Sequence, residues 1–183
     1  MKPPTTLILL TTLSTLSKAF ILPTNLADGI YTIPISANGT ALAPPTLLSP
    51  LPSSSAHASN PTDGILAHRQ RRQQQAPRLP SPSTNCHADR PFDRGDYDTA
   101  LGAFNSVCDR GEFYPAFSSV VVSAGGAMAY LCNYDASNRC WSSESSEADS
   151  LMTGRCGSGT AGWVYVDAYK KSYGREVLGV DIC

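Results

Sequence analysis

The chain has 183 residues and a formal net charge of −1, so as a whole it is neither strongly acidic nor strongly basic. Residues 73–183 carry nine Lys and Arg against thirteen Asp and Glu, a formal charge of −4, and such a segment is a poor candidate for a general nucleic-acid binder. All six cysteines lie after residue 85 and most of the 14 prolines lie before it, which predicts one compact domain preceded by a segment of different character.

The first nineteen residues have the pattern of a secretory signal peptide. Lys2 precedes an apolar run over residues 7–16, which ends at Ser17-Lys18-Ala19 with small residues where a signal peptidase needs them. The run is about half as long as the ~20 residues that cross a bilayer. We therefore expect cleavage after Ala19, secretion to the extracellular space and no membrane span.

Residues 20–72 are rich in Pro, Ser, Thr and Ala, and such a composition buries too little apolar surface to offset its chain entropy. We expect a mostly disordered propeptide with one short strand over residues 28–34. The sequon Asn38-Gly39-Thr40 predicts N-glycosylation of Asn38. Arg71-Arg72 resembles a kexin-type processing site, and an ordinary basic linker is the alternative. A cut after Arg72 would leave residues 73–183, with 73–85 as a flexible leader and 86–183 as the globular domain.

The even number of cysteines in one secreted segment predicts three disulfides, with fifteen possible connectivities left open. A metal site is not expected, because the chain has no C-x-x-C pair and residues 73–183 hold one histidine, His87. The six cysteines are Cys86, Cys108, Cys132, Cys140, Cys156 and Cys183.

Hydrophobic periodicity predicts two helices and four strands in the cysteine-rich domain. The first helix follows an N-cap at Asp93 or Asp96 and carries apolar residues at spacings of three and four. Gly125-Gly126 separates two apolar runs, which predicts an antiparallel hairpin. The second helix follows a serine cap near Ser142 and stops at Gly157. The order α-β-β-α-β-β predicts an α+β fold, a small two-layer α/β sandwich with a mainly antiparallel sheet; the strands are expected at 117–122, 127–133, 162–167 and 177–183.

No cofactor is expected, and no catalytic residue is assigned. Residues 157–162 spell G-x-G-x-x-G, but they follow a predicted helix and precede a predicted strand, the reverse of a dinucleotide-binding turn. Acidic residues are plentiful, yet a hydrolase would need two carboxylates that face each other across a cleft. A small secreted hydrolase therefore stays an alternative, without named residues.

Residues 169–175 form the one basic, aromatic-interleaved patch of the domain. Such a patch could contact an anionic polymer, a glycan or a partner protein, and a solvated loop is the alternative reading. The candidate binding residues are Tyr169, Lys170, Lys171, Tyr173 and Arg175.

The layout of signal peptide, sequon, dibasic site and six-cysteine domain resembles that of fungal small secreted cysteine-rich proteins, the group of candidate effectors. Within the domain the resemblance rests on short motifs and on Cys183. A more distant similarity to killer-toxin-like α/β sandwiches rests on element order and disulfide content. The short motifs that resemble those of the small secreted cysteine-rich proteins are Asp96-Tyr97-x-x-Ala100, Tyr130-Leu131-Cys132-Asn133-Tyr134, Gly162-Trp163-Val164 and Tyr173-Gly174-Arg175.

The resemblance implies an extracellular effector-like or toxin-like protein that binds a host or competitor component, and it transfers no catalytic motif. The partner would be a host protein or a glycan, and we expect a monomer. The second hypothesis is a glycan-binding or cell-wall-binding module that exposes Trp163, Tyr165 and Tyr173.

Overall fold

The computed structural model describes residues 21–51 and 79–183. Their main feature is a seven-stranded sheet, in which every paired neighbour is antiparallel. A separate two-stranded sheet joins Phe113–Tyr114 to Asn138–Arg139. The strands are β1 (Gly29–Pro34), β2 (Thr46–Pro50), β3 (Pro82–Pro91), β4 (Phe113–Tyr114), β5 (Ser118–Ala124), β6 (Ala127–Asn133), β7 (Asn138–Arg139), β8 (Thr160–Val166) and β9 (Lys171–Val177). Their order in the large sheet is β2-β1-β5-β6-β9-β8-β3.

Two helices, α1 (Arg94–Cys108) and α2 (Ser142–Cys156), pack on one face of this sheet. The predicted α+β class with a mainly antiparallel sheet and two helices is therefore confirmed. Helix α1 begins where the sequence predicted, because the Asp93 side chain accepts a hydrogen bond from the amide of Asp96 at 3.0 Å. Its buried stripe includes Tyr97 and Phe104, which follow the predicted spacing.

Strands β5 and β6 form the predicted hairpin around Gly125-Gly126, with Ala124 opposite Ala127. Gly125 has a φ of 57°, a conformation that favours glycine. Every residue of both strands is buried. The hairpin is therefore covered on both faces and forms the middle of the fold.

The last part of the chain differs from the prediction. The last of the four predicted strands was expected at residues 177–183, but the last strand of the structure is β9, Lys171–Val177. Gly179, with a φ of 88°, lies in a turn after β9, and residues 178–183 then run along the sheet face opposite the helices. This prediction was wrong because β9 carries the charged residues that predicted an exposed patch, whereas residues 178–183 are more apolar and look more like a buried strand.

The N-terminal segment also differs from the prediction. The short strand expected over residues 28–34 is present as β1, and a second strand that was not predicted, β2, follows it, so two stretches of residues 21–51 belong to the sheet. Pro82–Asn85 of the expected flexible leader belong to the edge strand β3. The predicted cuts after Ala19 and Arg72, and residue Arg71, lie outside the described residues and stay predictions.

Two apolar cores flank the sheet. The inner core, between the sheet and the helices, includes Phe104, Val122 and Tyr173. The outer core lies on the opposite face, where residues from 21–42 and 178–183 cover β5 and β6. Its buried members are Leu22, Tyr31, Ile33, Ile35, Val121, Met128, Tyr130 and Cys132.

Three disulfides pair all six cysteines, which confirms the predicted number and resolves the connectivity that the sequence left open. Each bridge contributes about 2–4 kcal/mol to a domain of this size. The bonds are Cys86–Cys156, Cys108–Cys140 and Cys132–Cys183. Within the described ranges 21–51 and 79–183, no helix is long and apolar enough to cross a membrane.

Candidate functional site

The predicted basic patch does not form a shared exposed surface. Lys171, Tyr173 and Arg175 are each at most 2% exposed. They alternate along β9, so all three side chains lie on the helix-facing side of the sheet. Tyr169 and Lys170 are exposed, in and just after a short 3-10 turn. The structure therefore brings three of the five candidates into the core and leaves two at the surface.

Both buried cations are neutralised by carboxylates of α2. The Lys171 Nζ lies 2.6 Å from the Glu144 Oε2, and the Tyr173 hydroxyl donates to the same oxygen at 2.5 Å. Burial and the neighbouring Glu144 carboxylate raise the pKa of Tyr173 well above its ordinary value. The Arg175 Nη1 lies 2.7 Å from the Asp149 Oδ1. Because every charge is paired under α2, these residues hold the helix on the sheet and are not available to a ligand.

A pocket of about 420 Å³ opens on the outer face of the sheet. Trp163 and Tyr165 of β8 and Ser172 of β9 line it, and their alternation places them on the face opposite the helices. Tyr134 stands beside them, just after β6. The other lining residues are Ala37, Asn38, Tyr130 and Cys183.

The aromatic rings are held in place by contacts within the pocket. The Tyr134 ring meets the Tyr165 ring edge-on, with 6.0 Å between the centroids. The Tyr134 hydroxyl donates to the Cys183 carbonyl at 3.1 Å and lies 3.2 Å from the Ser172 hydroxyl. Burial raises the pKa of Tyr134 above its ordinary value, so this hydroxyl keeps its proton, and with it the hydrogen bond to Cys183, further into the alkaline range.

The floor of the pocket depends on a glycine. The Tyr130 ring lies directly over Gly174 of β9, where a Cβ would come within 2.1 Å of the Tyr130 Cζ. Any larger residue at this position would push the ring out of the sheet surface. Burial raises the pKa of Tyr130 well above its ordinary value, so the ring stays neutral below the strongly alkaline range.

One wall of the pocket comes from the N-terminal segment. Ala37 and Asn38 belong to the turn after β1, and the predicted glycosylation residue Asn38 is exposed at the rim. Gly39, with a φ of 85°, lies so close to residue 183 that a Cβ would come within 2.0 Å of the Cys183 carbonyl oxygen. The Cys132–Cys183 disulfide in turn ties residue 183 to β6. The wall is therefore assembled from two distant parts of the chain.

None of the eight lining side chains carries a formal charge, and none is a carboxylate. The surface combines ring faces with hydroxyl, amide and carbonyl groups, the mixture of aromatic surface and a few polar groups that is typical of small-molecule sites. The volume also lies in the usual range for small-ligand sites, about 300–1,000 Å³. Such an arrangement can hold a ligand by stacking and hydrogen bonding.

His87, the one histidine in the described part of the chain, contacts a buried carboxylate. Its Nδ1 lies 2.6 Å from the Glu176 Oε2, and the Arg90 Nη1 lies 3.1 Å from the same oxygen. Glu176 is 1% exposed and the two basic side chains are about one third exposed. Two cationic or hydrogen-bonding partners thus stabilise the Glu176 carboxylate between β3 and β9. No group of three or more His, Cys, Asp or Glu in the described residues could hold a metal ion.

A second surface feature lies at the two-stranded sheet. Phe113 of β4 and Trp141 are 60% and 41% exposed. The guanidinium carbon of Arg139 lies 4.4 Å and 5.4 Å from the centroids of these two rings. Aromatic residues and Arg are the types most enriched in the parts of interfaces that dominate binding energy. We call Phe113, Arg139 and Trp141 the aromatic–arginine cluster.

No family model, no curated protein and no solved structure matches this chain.

The sequence identified part of the pocket. Trp163 and Tyr165 were predicted as exposed glycan-binding aromatics, and they are half-buried pocket residues. Tyr173, named with them, is buried on the other face of the sheet. Tyr134, Ser172 and Asn38 could not be grouped with them, because they come together only through strand pairing and the Cys132–Cys183 bond. Alternation in β8 was the one usable signal.

Proposed function

We propose that this is a secreted, effector-like or toxin-like protein that acts outside the cell by binding, and that its ligand is a carbohydrate of a host or competitor. The observation that carries the proposal is the aromatic pocket around Trp163, Tyr165 and Tyr134, whose lining side chains carry no formal charge. The faces of a pyranose ring carry C–H groups that pack on aromatic rings, while its hydroxyls need hydrogen-bond partners at the edges. The pocket offers both kinds of contact.

Several features of the pocket support a sugar over other small ligands. An anionic ligand would lack a cationic partner among the lining side chains. A wholly apolar ligand would cover the exposed Asn38 amide at the rim without replacing its hydrogen bonds to water. A neutral, polyhydroxylated ligand satisfies both constraints. The disulfides and the secretory signal expected from the sequence fit a ligand that is met outside the cell.

Binding can be measured through the tryptophans, because the chain has only two, Trp141 and Trp163. In the variant Trp141→Phe, Trp163 is the single reporter, and titration with soluble chitin or β-glucan oligosaccharides should change its emission. Calorimetry of the unmodified protein should give the same affinity. No binding to any of a panel that also includes mannan and xylan oligosaccharides would exclude the proposal.

Matched variants locate the site. Trp163→Ala should weaken the affinity by about tenfold or more, because a stacked ring is lost, and tenfold corresponds to about 1.4 kcal/mol. Trp141→Ala removes the other tryptophan, outside the pocket, and should leave sugar affinity unchanged. Equal losses in both variants would place the ligand elsewhere.

Biological activity is tested by applying the oxidised protein to plant tissue or to competing microbes, with the reduced protein as control. Trp163→Ala should abolish an effect that depends on the carbohydrate. The aromatic–arginine cluster favours a host protein as a second candidate ligand, since it exposes aromatic rings around an Arg. An effect that is lost in Trp141→Ala and kept in Trp163→Ala would favour that candidate.

A further inference from the structure

We infer that the segment before the dibasic site is not discarded: after cleavage at Arg72 the protein is a two-chain molecule, in which the N-terminal chain stays bound as strands β1 and β2 of the sheet. The proposal concerns the association of the two chains and does not depend on the ligand of the pocket. It rests on how residues 21–51 pack on residues 79–183.

The first support is strand pairing. β1 lies between β2 and β5, and it pairs with β5 at six consecutive positions from Gly29↔Ser123 to Pro34↔Ser118. The amide of Ile35 continues this contact by donating to the Phe117 carbonyl at 2.8 Å. Without β1, the fully buried strand β5 would become an open edge with unpaired amide and carbonyl groups.

The second support is burial. Leu22, Ile33 and Ile35 are each at most 1% exposed, and they form the outer core together with Val121 and Met128 from the hairpin. Loss of the segment would expose apolar side chains on both partners at once. Burial of apolar surface is the main source of affinity between chains.

The third support is a set of contacts to the last residues of the chain. The amide of Leu22 donates to the Val180 carbonyl at 3.1 Å, and Ile21 pairs with Asp181 in an isolated bridge. Gly39 packs against Cys183. The segment is thus held along β5 and also by residues 180–183.

Covalent bonds explain why cleavage would create two chains. Residues 20–72 contain no cysteine, and the three disulfides all join residues within 86–183. A cut after Arg72 would therefore leave the two parts without a covalent link. The pocket would then be shared, because Ala37 and Asn38 belong to the first chain and the other six lining residues to the second.

The experiment uses the secreted full-length chain, cut by a kexin-type protease. Denaturing electrophoresis shows the cut, and size-exclusion chromatography in native buffer shows whether the fragments co-elute at micromolar concentration. Co-elution of residues 20–72 with 73–183, identified by mass spectrometry, supports the proposal. Separation of the fragments overturns it, and so does a secreted chain that resists the protease at Arg72.

Hydrogen exchange gives a second readout on the same sample. The β5 amides should stay as protected in the cut protein as in the uncut chain. Rapid exchange of residues 118–124 after the cut would mean that β1 has left the sheet. A recognition site for a different sequence-specific protease, inserted after residue 60, provides an independent break, and the same retention is expected there.

Matched variants test the interface itself. Ile33→Asp places a charge in the outer core, and its N-terminal fragment should separate on the column after the cut. Leu48→Asp introduces the same charge on β2, where Leu48 is 58% exposed, and its fragment should stay bound. If the Ile33→Asp chain is not secreted, Ile33→Ala, which only removes buried methyl groups, should release its fragment faster on dilution than the unmodified cut protein. If both Ile33 variants retain the N-terminal fragment as tightly as the unmodified protein does, the proposed interface is wrong.

Discussion

Replacing Lys171 by methionine distinguishes a structural lysine from a ligand-binding one. Methionine keeps most of the side-chain volume and removes the charge. The Lys171 and Glu144 side chains are 3% and 5% exposed, and their charged atoms lie 2.6 Å apart. Lys171 also donates to the Arg139 carbonyl at 2.9 Å. The variant therefore leaves a buried carboxylate with the Tyr173 hydroxyl but without its cation.

Removing one partner of a buried ion pair lowers the free energy of unfolding by about 3–5 kcal/mol. This is a large part of the ~5–15 kcal/mol by which a typical domain is stable. We expect a loss of this size in the free energy of unfolding of Lys171→Met, measured by urea denaturation with tryptophan fluorescence. Lys170→Met is the matched control. Lys170 lies next in the chain, but its side chain is 48% exposed and pairs with the exposed Asp167, so its midpoint should not change.

A double-mutant cycle separates the ion pair from other effects of the substitution. Glu144→Gln removes the orphaned charge, so the double variant Lys171→Met/Glu144→Gln should lose less stability than the sum of the two single variants. Equal stability of Lys171→Met and Lys170→Met would contradict the burial of Lys171. The basic patch predicted from the sequence would then have to be reconsidered.

Two further predictions concern the pocket. Tyr130 ionises in the unfolded chain near pH 10 but not in the folded protein, because burial raises its folded pKa; stability must therefore fall as the pH rises above 10. Between pH 10 and 11 this group accounts for a loss of about 1 kcal/mol in the free energy of unfolding. Urea denaturation at the two pH values should therefore show a loss for Tyr130→Phe that is about 1 kcal/mol smaller than for the unmodified protein. Identical losses would argue against a buried hydroxyl. A glycan on Asn38 would stand at the rim of the pocket, so Thr40→Ala, which removes the sequon and keeps Asn38, should bind chitin oligosaccharides more tightly in calorimetry than the glycosylated protein. Equal affinities, with the glycan confirmed by mass spectrometry, would place the sugar site away from Asn38.

Elements with local signals could be predicted from the sequence. Helix α1 has its cap at Asp93 and its apolar residues at helical spacing, and the β5–β6 hairpin has Gly125-Gly126 between two apolar runs. In each case the information lies within about fifteen residues of the chain. Helix α2 was also predicted with its stop at Gly157, although the structure shows no side-chain cap at its start.

Strand β9 could not be predicted because the carboxylates that neutralise its basic residues are far away in the sequence. Lys171 and Arg175 indicate a solvated surface when they are read alone. They are buried because Glu144 and Asp149 of α2, 27 and 26 residues away, neutralise them. A sequence pattern does not show which charges will meet in the fold, so a buried ion-pair strand and an exposed basic loop look alike.

The pairing of the N-terminal segment with β5 could not be predicted, for a related reason. The segment's composition is that of a disordered chain, and five of its described residues are proline. Ile30, Tyr31, Ile33 and Ile35 nevertheless fit β5, which lies about 90 residues further along the chain. The strand itself was predicted over residues 28–34, but the composition of the segment does not show that this strand joins the sheet of the cysteine-rich domain.

The pocket, the outer core and the N-terminal segment depend on one another. Asn38 and Cys183 form one wall, Gly39 holds them together, and the Cys132–Cys183 bond ties that wall to β6. A protein made from residues 73–183 alone would lack Ala37 and Asn38 and would expose Val121 and Met128 of the outer core. Loss of sugar binding in such a fragment would therefore not argue against the pocket, because the fragment lacks part of the site. Only a protein that holds both the N-terminal segment and residues 79–183, uncut or cut with both parts retained, presents the surface on which the proposed binding depends.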